Sequence, residues 1–162
     1  MRVIPLTQGQ ITIVSNVDYE RLLKYKWYAC RSGTTYYAAT KVWNKQTRQY
    51  STIRMHKIIK NLWFNNKQRI DHINHDTLDN RRSNLRMCTH QQNIFNTKAQ
   101  TNCSSKYKGV CWDKNKGLWL ARLFISGKFV LQKRFRYEIE AKYAYDKAAL
   151  KYQKSFMYKD YI

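Results

Sequence analysis

The chain has 162 residues, with 31 Lys or Arg against 10 Asp or Glu, a formal net charge of +21. Residues 1–100 hold 17 basic and 5 acidic side chains and residues 101–162 hold 14 and 5, so both halves repel themselves and call for a polyanionic partner. With aromatic residues at 15% interleaved among the charges, nucleic acid fits better than an anionic membrane. No run reaches the roughly 20 apolar residues of a spanning helix, and MRVIPLTQGQ lacks the apolar stretch of a secretion signal.

In chain order, residues 1–53 read as mainly strand. ITIV (11–14) is a β-branched run, and Asp18 to Tyr25 suits one or two helical turns. WYACR and TTYYAATKVW flank the turn signal Ser32-Gly33, and the polar break 44–47 separates them from RQYSTI, which predicts a β-meander. Over 54–64, Met55, Ile58, Ile59 and Leu62 fall at helical spacing and predict one buried helix face. Residues 65–84 are polar and loop-like, and LRMC (85–88) is a short strand candidate. Thr89 with Gln92 three residues on fits a capping box, predicting a helix from His90 to about Thr97. A small polar linker spans 99–104. Beyond it, KGVCW, GLWLARLFI and KFVLQKRF predict three strands, the last two joined at Ser126-Gly127. YEIEAKYAYDKAALKYQK predicts a helix with Ala141, Ala144, Tyr145, Ala148 and Tyr152 on its packed side. The whole is expected to be an α+β protein in two parts.

The four cysteines, Cys30, Cys88, Cys103 and Cys111, stand singly, so a structural zinc site is not expected. Chemistry concentrates in IDHINHDTLDNRRSNLRMCTHQQN, residues 70–93. Asp71 and His72 end the first strand, Asn84 closes the loop, and Asn93 lies on the first turn of the next helix. A strand–loop–strand–helix hairpin would fold an acid, an imidazole and two carboxamides toward one site. Each residue alone has a plainer reading: Asp and Asn are common in turns, and a lone His is commonly solvated. His56, His75 and His90 read as structural or surface residues, and residues 76–82 as a loop braced by carboxylate–guanidinium pairs.

The joint pattern, Asp71-His72, then Asn84, then Asn93, resembles the HNH (ββα-metal, His-Me finger) endonucleases, and within them the homing type of introns and phages. The final position is Asn93 rather than the wider family's His, a substitution normal in the homing branch. The resemblance implies that His72 is the general base that activates water. It makes Asp71 and Asn93 the ligands of one divalent ion, and Asn84 the residue that orients the His72 ring. A hard oxygen donor set favours Mg²⁺ or Mn²⁺, with no zinc expected.

Residues 105–162 resemble the plant ethylene-response-factor (apetala-type) DNA-binding domain through SKYKGVCWDKNKGLWLARL, GK and EAKYAYDKAAL. That resemblance offers Lys106, Lys108, Trp112, Lys114, Trp119, Arg122 and Lys133 as DNA contacts. Cys111 and several lysines stand where plant members carry arginines, and Gln132 replaces a glycine. Since Lys is a point charge, phosphate grip is expected more than base reading.

The resulting expectation has four segments: 1–53 as the β-rich part of a nuclease unit, 54–98 as its HNH motif, 99–104 as linker, and 105–162 as a DNA-binding domain. The implied reaction is metal-dependent hydrolysis of double-stranded DNA by a monomer, with no membrane and no small-molecule substrate. The implied setting is the reducing cytoplasm of a bacterial or phage-infected cell. The alternatives are a catalytically silent DNA-binding regulator and an RNA-binding protein.

Overall fold

The computed structural model describes residues 1–64, 67–99 and 103–158. The protein is α+β, as expected, and divides into two compact units, Met1–His90 and Gln91–Ile162.

The first unit opens with an antiparallel hairpin of β1 (Arg2–Pro5) and β2 (Ile11–Val14). Helix α1 (Asn16–Leu22) follows, somewhat earlier than the Asp18–Tyr25 expectation. β3 (Tyr28–Ser32), β4 (Thr35–Asn44) and β5 (Gln49–Arg54) form the predicted meander. Its second turn is held by the Asn44 carboxamide oxygen, which accepts from the backbone N–H of Gln46 and Thr47.

Helix α2 (Met55–Ile59) buries Met55, Ile58 and Ile59 as their spacing predicts. It is shorter than the predicted 54–64, because Asn61 enters the left-handed region at φ 56° and stops it. Leu62 therefore falls outside the helix. Ile4, Val14, Leu22, Trp27, Ala38, Ile53, Leu85 and the α2 side chains form one core. Each large apolar side chain buried there contributes about 1.5–3 kcal/mol.

Onto this core are set β6 (Arg69–His72), β7 (Asp79–Asn80) and β8 (Leu85–Cys88). β6 and β8 pair antiparallel, with Asp71 opposite Arg86 and His72 opposite Leu85. β7 lies in the stretch read from sequence as loop. It pairs parallel to β2, Ile13 with Asp79 and Val14 with Asn80. That pairing joins residues more than sixty positions apart, so no local pattern announces it.

Helix α3 (His90–Phe95) starts at the predicted residue and ends slightly early. The second unit contains β9 (Val110–Asp113), β10 (Leu118–Ile125) and β11 (Lys128–Phe135) in the sheet order β11-β10-β9, all antiparallel. The β10–β11 turn places Ser126 at φ 48° and Gly127 at φ 83°, the pair of left-handed residues a tight hairpin requires. Helix α4 (Glu138–Gln153) lies over one face. Its buried residues are Ala141, Tyr145, Ala149 and Gln153, a strict four-residue row. Tyr152, expected on that row, is exposed. Close approach is forced at Gly109, where an added Cβ would lie 2.0 Å from the Tyr145 ring.

Candidate active site

Asp71 and His72 are consecutive, yet both are buried, because the end of β6 is covered on both faces. Asp71 faces its cross-strand neighbour: Arg86 places Nε 2.8 Å and Nη2 2.7 Å from the Asp71 Oδ2. The His72 ring packs edge-on against His56, centroids 5.1 Å apart, and against Tyr37 at 6.2 Å. The Arg54 guanidinium lies 3.9 Å over the Tyr37 ring. Asn80 Oδ1 is 3.4 Å from His72 Nε2.

The electrostatics of the two imidazoles follow from this enclosure. Burial pushes His72 below the ordinary histidine value, opposed by the Asn80 contact and by the carboxylates of Asp71, Asp76 and Asp79. Burial likewise drives His56 well below its ordinary value, helped by His72, Arg54 and Lys57. Both rings are therefore neutral at pH 7, the form in which an imidazole accepts a proton.

The loop between β6 and β8 is braced at every step. Ile73 N–H donates to the Asn84 carbonyl at 2.9 Å. The Asn84 carboxamide accepts from Asn74 N–H at 3.0 Å and donates to the Asp79 carbonyl at 2.8 Å. The Asn74 amide donates to Asp79 Oδ2 at 2.9 Å, and Arg81 grips the same carboxylate through Nε at 2.8 Å and Nη2 at 2.6 Å. Burial raises the Asp79 carboxyl, but Arg81 and Asn74 outweigh it and hold it below the usual range. Arg82 reaches out of the loop to α1, placing Nε 2.6 Å and Nη2 2.8 Å from the two oxygens of buried Asp18. Asp76 and Asp79 with Arg81 thus act within the loop, as their composition suggests, while Arg82 anchors it elsewhere.

Asp71, His72 and Asn84 are gathered in the first unit, whereas half-buried Asn93 belongs to the second. Sequence reasoning did not single out Asn80 or Arg86. Asn80 was one polar residue among many in the loop. Arg86 could have been found by pairing the strands, since only a cross-strand register sets it beside Asp71.

Among the described residues no three or more His, Cys, Asp or Glu side chains gather as a metal cluster. The donors at hand are the Asp71 carboxylate and neutral carboxamides. That set suits a hard divalent ion that keeps most of its waters, with Arg86 sharing the carboxylate.

In the second unit the proposed DNA contacts sort by sheet face. Trp112 pairs with Trp119 across the β9–β10 ladder, their rings edge-to-face at 5.1 Å. They share the face of Val110 and Ala121, on which α4 packs, and Lys133 opposite Ala121 shares it too. Arg122 lies on the other face with Gln132, and Arg134 and Phe124 follow at alternate positions. Lys114 is exposed in the β9–β10 turn, and Lys106 lies 5.2 Å over the Tyr107 ring. Lys108 is turned to α3: its ammonium donates to the carbonyls of Ile94, Phe95 and Thr97 at 2.7–2.9 Å. Burial lowers Lys108 to about 8. No helix among the described residues is long and apolar enough to cross a membrane.

Comparison with known proteins gives two findings. Residues 66–94 match the family model described as HNH endonuclease. The chain is also 35% identical over 105 residues to an uncharacterized HNH endonuclease of Acanthamoeba polyphaga mimivirus, covering 64% of this chain and 50% of that protein. The chain thus spans about half the length of this curated relative. No solved structure matches significantly. The matched stretch contains Asp71, His72, Asn84 and Asn93, so the similarity to HNH endonucleases falls on the candidate site residues.

Proposed function

We propose that the protein is a metal-dependent endonuclease that hydrolyses phosphodiester bonds in double-stranded DNA, of the homing kind. The observation that carries this is the buried Asp71–His72 pair at the end of β6, on a loop that Asn84 ties shut. His72, neutral and enclosed, takes a proton from the water that attacks phosphorus. Asp71, and Asn93 from α3, would hold Mg²⁺ or Mn²⁺. When bound, such an ion polarises the phosphate and stabilises the leaving 3′-oxygen. Asn84 acts as a positioning residue, keeping the β6–β8 hairpin closed so that His72 stays at its mouth.

Residues 105–162 would then grip the duplex. Support comes from the three-stranded sheet backed by one helix and from the charge of this segment, not from a matched relative. Arg122, with Arg134 and Gln132, offers donors on the face away from α4, and Phe124 and Phe129 add exposed rings to the hairpin. Lys106, Lys114 and Lys133 supply peripheral charge, and Trp112 and Trp119 stiffen the sheet. Lys108 serves α3 instead.

Plasmid nicking with and without Mg²⁺ tests the reading, with His72→Ala as control. Metal-dependent nicking by the wild type, lost in His72→Ala with DNA binding retained, is the expected result. Binding without cutting by well-folded wild type at any Mg²⁺ or Mn²⁺ concentration would favour the silent regulator. A preference for RNA over duplex DNA would favour the third reading.

A further inference from the structure

Residues 21–70 hold 12 Lys or Arg and no Asp or Glu. The stretch runs from the end of α1 through the β3–β4–β5 meander and α2 into β6, so much of the first unit's positive charge is gathered on these elements. Some of it is used internally: Arg21 pairs with Asp18, and Arg54 lies over Tyr37. Lys24, Lys26, Lys41, Lys45 and Arg48 are exposed, and among the described residues none of them has a carboxylate partner.

The register of the meander sorts these charges by face. Ala38 and Val42 of β4 pack on the core, so Lys41 and Trp43, at the alternate positions, stand on the opposite face. There Lys41 lies opposite Thr52 and Trp43 opposite Tyr50. The Trp43 and Tyr50 rings meet edge to face at 5.2 Å and are 48% and 70% exposed. Lys41 also lines a groove of about 410 Å³ with Lys24, Tyr25, Lys26, Tyr28 and Thr40. The Tyr28 hydroxyl is 3.2 Å from Thr52 Oγ1, which ties the groove to the aromatic pair across one surface.

A cross-strand aromatic pair can serve the hairpin alone, and lysines commonly guard the edges of sheets. Neither role accounts for Lys41, which sits on the central strand of the order β3-β4-β5. Three unpaired ammoniums around one groove repel each other and fit a partner that brings closely spaced negative charge. A duplex offers one phosphate charge per roughly 1.7 Å of its axis. Because the edge of one ring is seated on the face of the other, the pair is a poor platform for stacked bases and suits a sugar–phosphate wall.

We propose that this outer face of the meander, with Lys24, Lys26 and Lys41 around the groove and Trp43 and Tyr50 beside it, is a second duplex-DNA contact, carried by the first unit itself. The lysines hold backbone phosphates, and the rings pack on the sugars between them. The proposal rests on the reading of duplex DNA as the substrate, and it gives the nuclease unit its own hold on the strand pair that it cuts.

The test measures binding of the full chain to a labelled random-sequence duplex, without divalent metal, across a range of salt concentrations. Lys24→Gln/Lys26→Gln/Lys41→Gln removes three exposed ammoniums that have no ion-pair partner, so its melting should match the wild type. Its plot of log affinity against log salt should be shallower by about 2–3, since each phosphate contact contributes close to 0.9. Affinity at 0.1 M salt should fall by about tenfold or more on the same ground. Lys147→Gln/Lys151→Gln/Lys154→Gln removes the same charge from α4 and should leave the slope near that of the wild type. Trp43→Ala/Tyr50→Ala should weaken binding with the slope unchanged, because neutral rings release no counterions; the lysine variant carries the test should this hairpin fail to fold. A wild-type slope in the folded Lys24/Lys26/Lys41 variant overturns the proposal, as does an equal loss of slope in the α4 variant. A larger loss for single-stranded DNA or RNA than for the duplex overturns the choice of partner. A wild type that binds no duplex refutes both this contact and the nuclease reading, whereas one that binds through this face and never cuts refutes the nuclease reading alone.

Discussion

Replacing Asn84 with Ala separates a brace from a bystander. The substitution removes the acceptor of Asn74 N–H and the donor to the Asp79 carbonyl, bonds of 3.0 and 2.8 Å around a side chain only 6% exposed. Two backbone groups are left without their partner. An unsatisfied buried polar group costs about 1–3 kcal/mol, and water entering the vacated space recovers part of that. The expected loss is therefore about 2–4 kcal/mol. In a domain of this size about 1 kcal/mol moves Tm by roughly 4–8 °C, so a fall of at least roughly 8 °C follows. Calorimetry or circular dichroism on the full chain reads it, following the transition of the first unit. Asn84→Asp keeps the acceptor and loses only the donor, so it should sit between Ala and wild type in stability. Activity should fall in the same order, because the loop that presents His72 is the part that opens. A folded Asn84→Ala protein that melts with the wild type refutes the brace, whatever happens to its activity.

Other outcomes follow from the same geometry. Arg82 holds the Asp18 carboxyl below its usual range, outweighing burial, with Arg21 assisting. A depressed carboxyl stabilises the fold above its unfolded value and loses that contribution as pH falls through the folded one. Arg82→Ala should thus destabilise the protein at pH 7 by about 1–2 kcal/mol, since Arg21 remains to pair the charge. The difference from wild type should shrink on acidification below the carboxylate value. Urea melts at pH 7 and pH 3 read it, and a pH-independent difference would contradict the pairing. DNA affinity should fall steeply with salt, because many Lys and Arg side chains release counterions from the duplex. A Kd that barely changes between low and physiological salt would remove the electrostatic basis. In metal titrations of cleavage, Asp71→Ala should stay inactive at any practical Mg²⁺, while Asn93→Ala should be partly rescued by raised Mn²⁺. Wild-type rate and metal dependence in Asn93→Ala would end its assignment as a ligand.

Much of this was legible from residue order because it depends on local chemistry. The Ser32-Gly33 and Ser126-Gly127 turns need left-handed backbone, and in both hairpins strands flank them as alternation predicts. The spacing of Met55, Ile58 and Ile59 declared a buried helix face, and the stretch from Asp71 to Asn93 falls where the HNH endonuclease model matches. Where local rules competed, they failed in small ways: Asn61 halted α2 before Leu62, and Tyr152 gave its place on α4 to Gln153.

The partners of the site residues were not legible. The sequence by itself determined which functional groups are present, since spacing of types along the chain is a one-dimensional property. Only the tertiary structure decided which group each one meets. Asp71 meets Arg86 through a strand register, Arg82 leaves its own loop for Asp18, and His72 meets Asn80 because β7 pairs with β2. Of these, the Arg82–Asp18 pair joins positions sixty-four residues apart. Hydrogen bonds and ion pairs at such separations form only after the core has brought the strands together. Their choice belongs to packing, which no local pattern records.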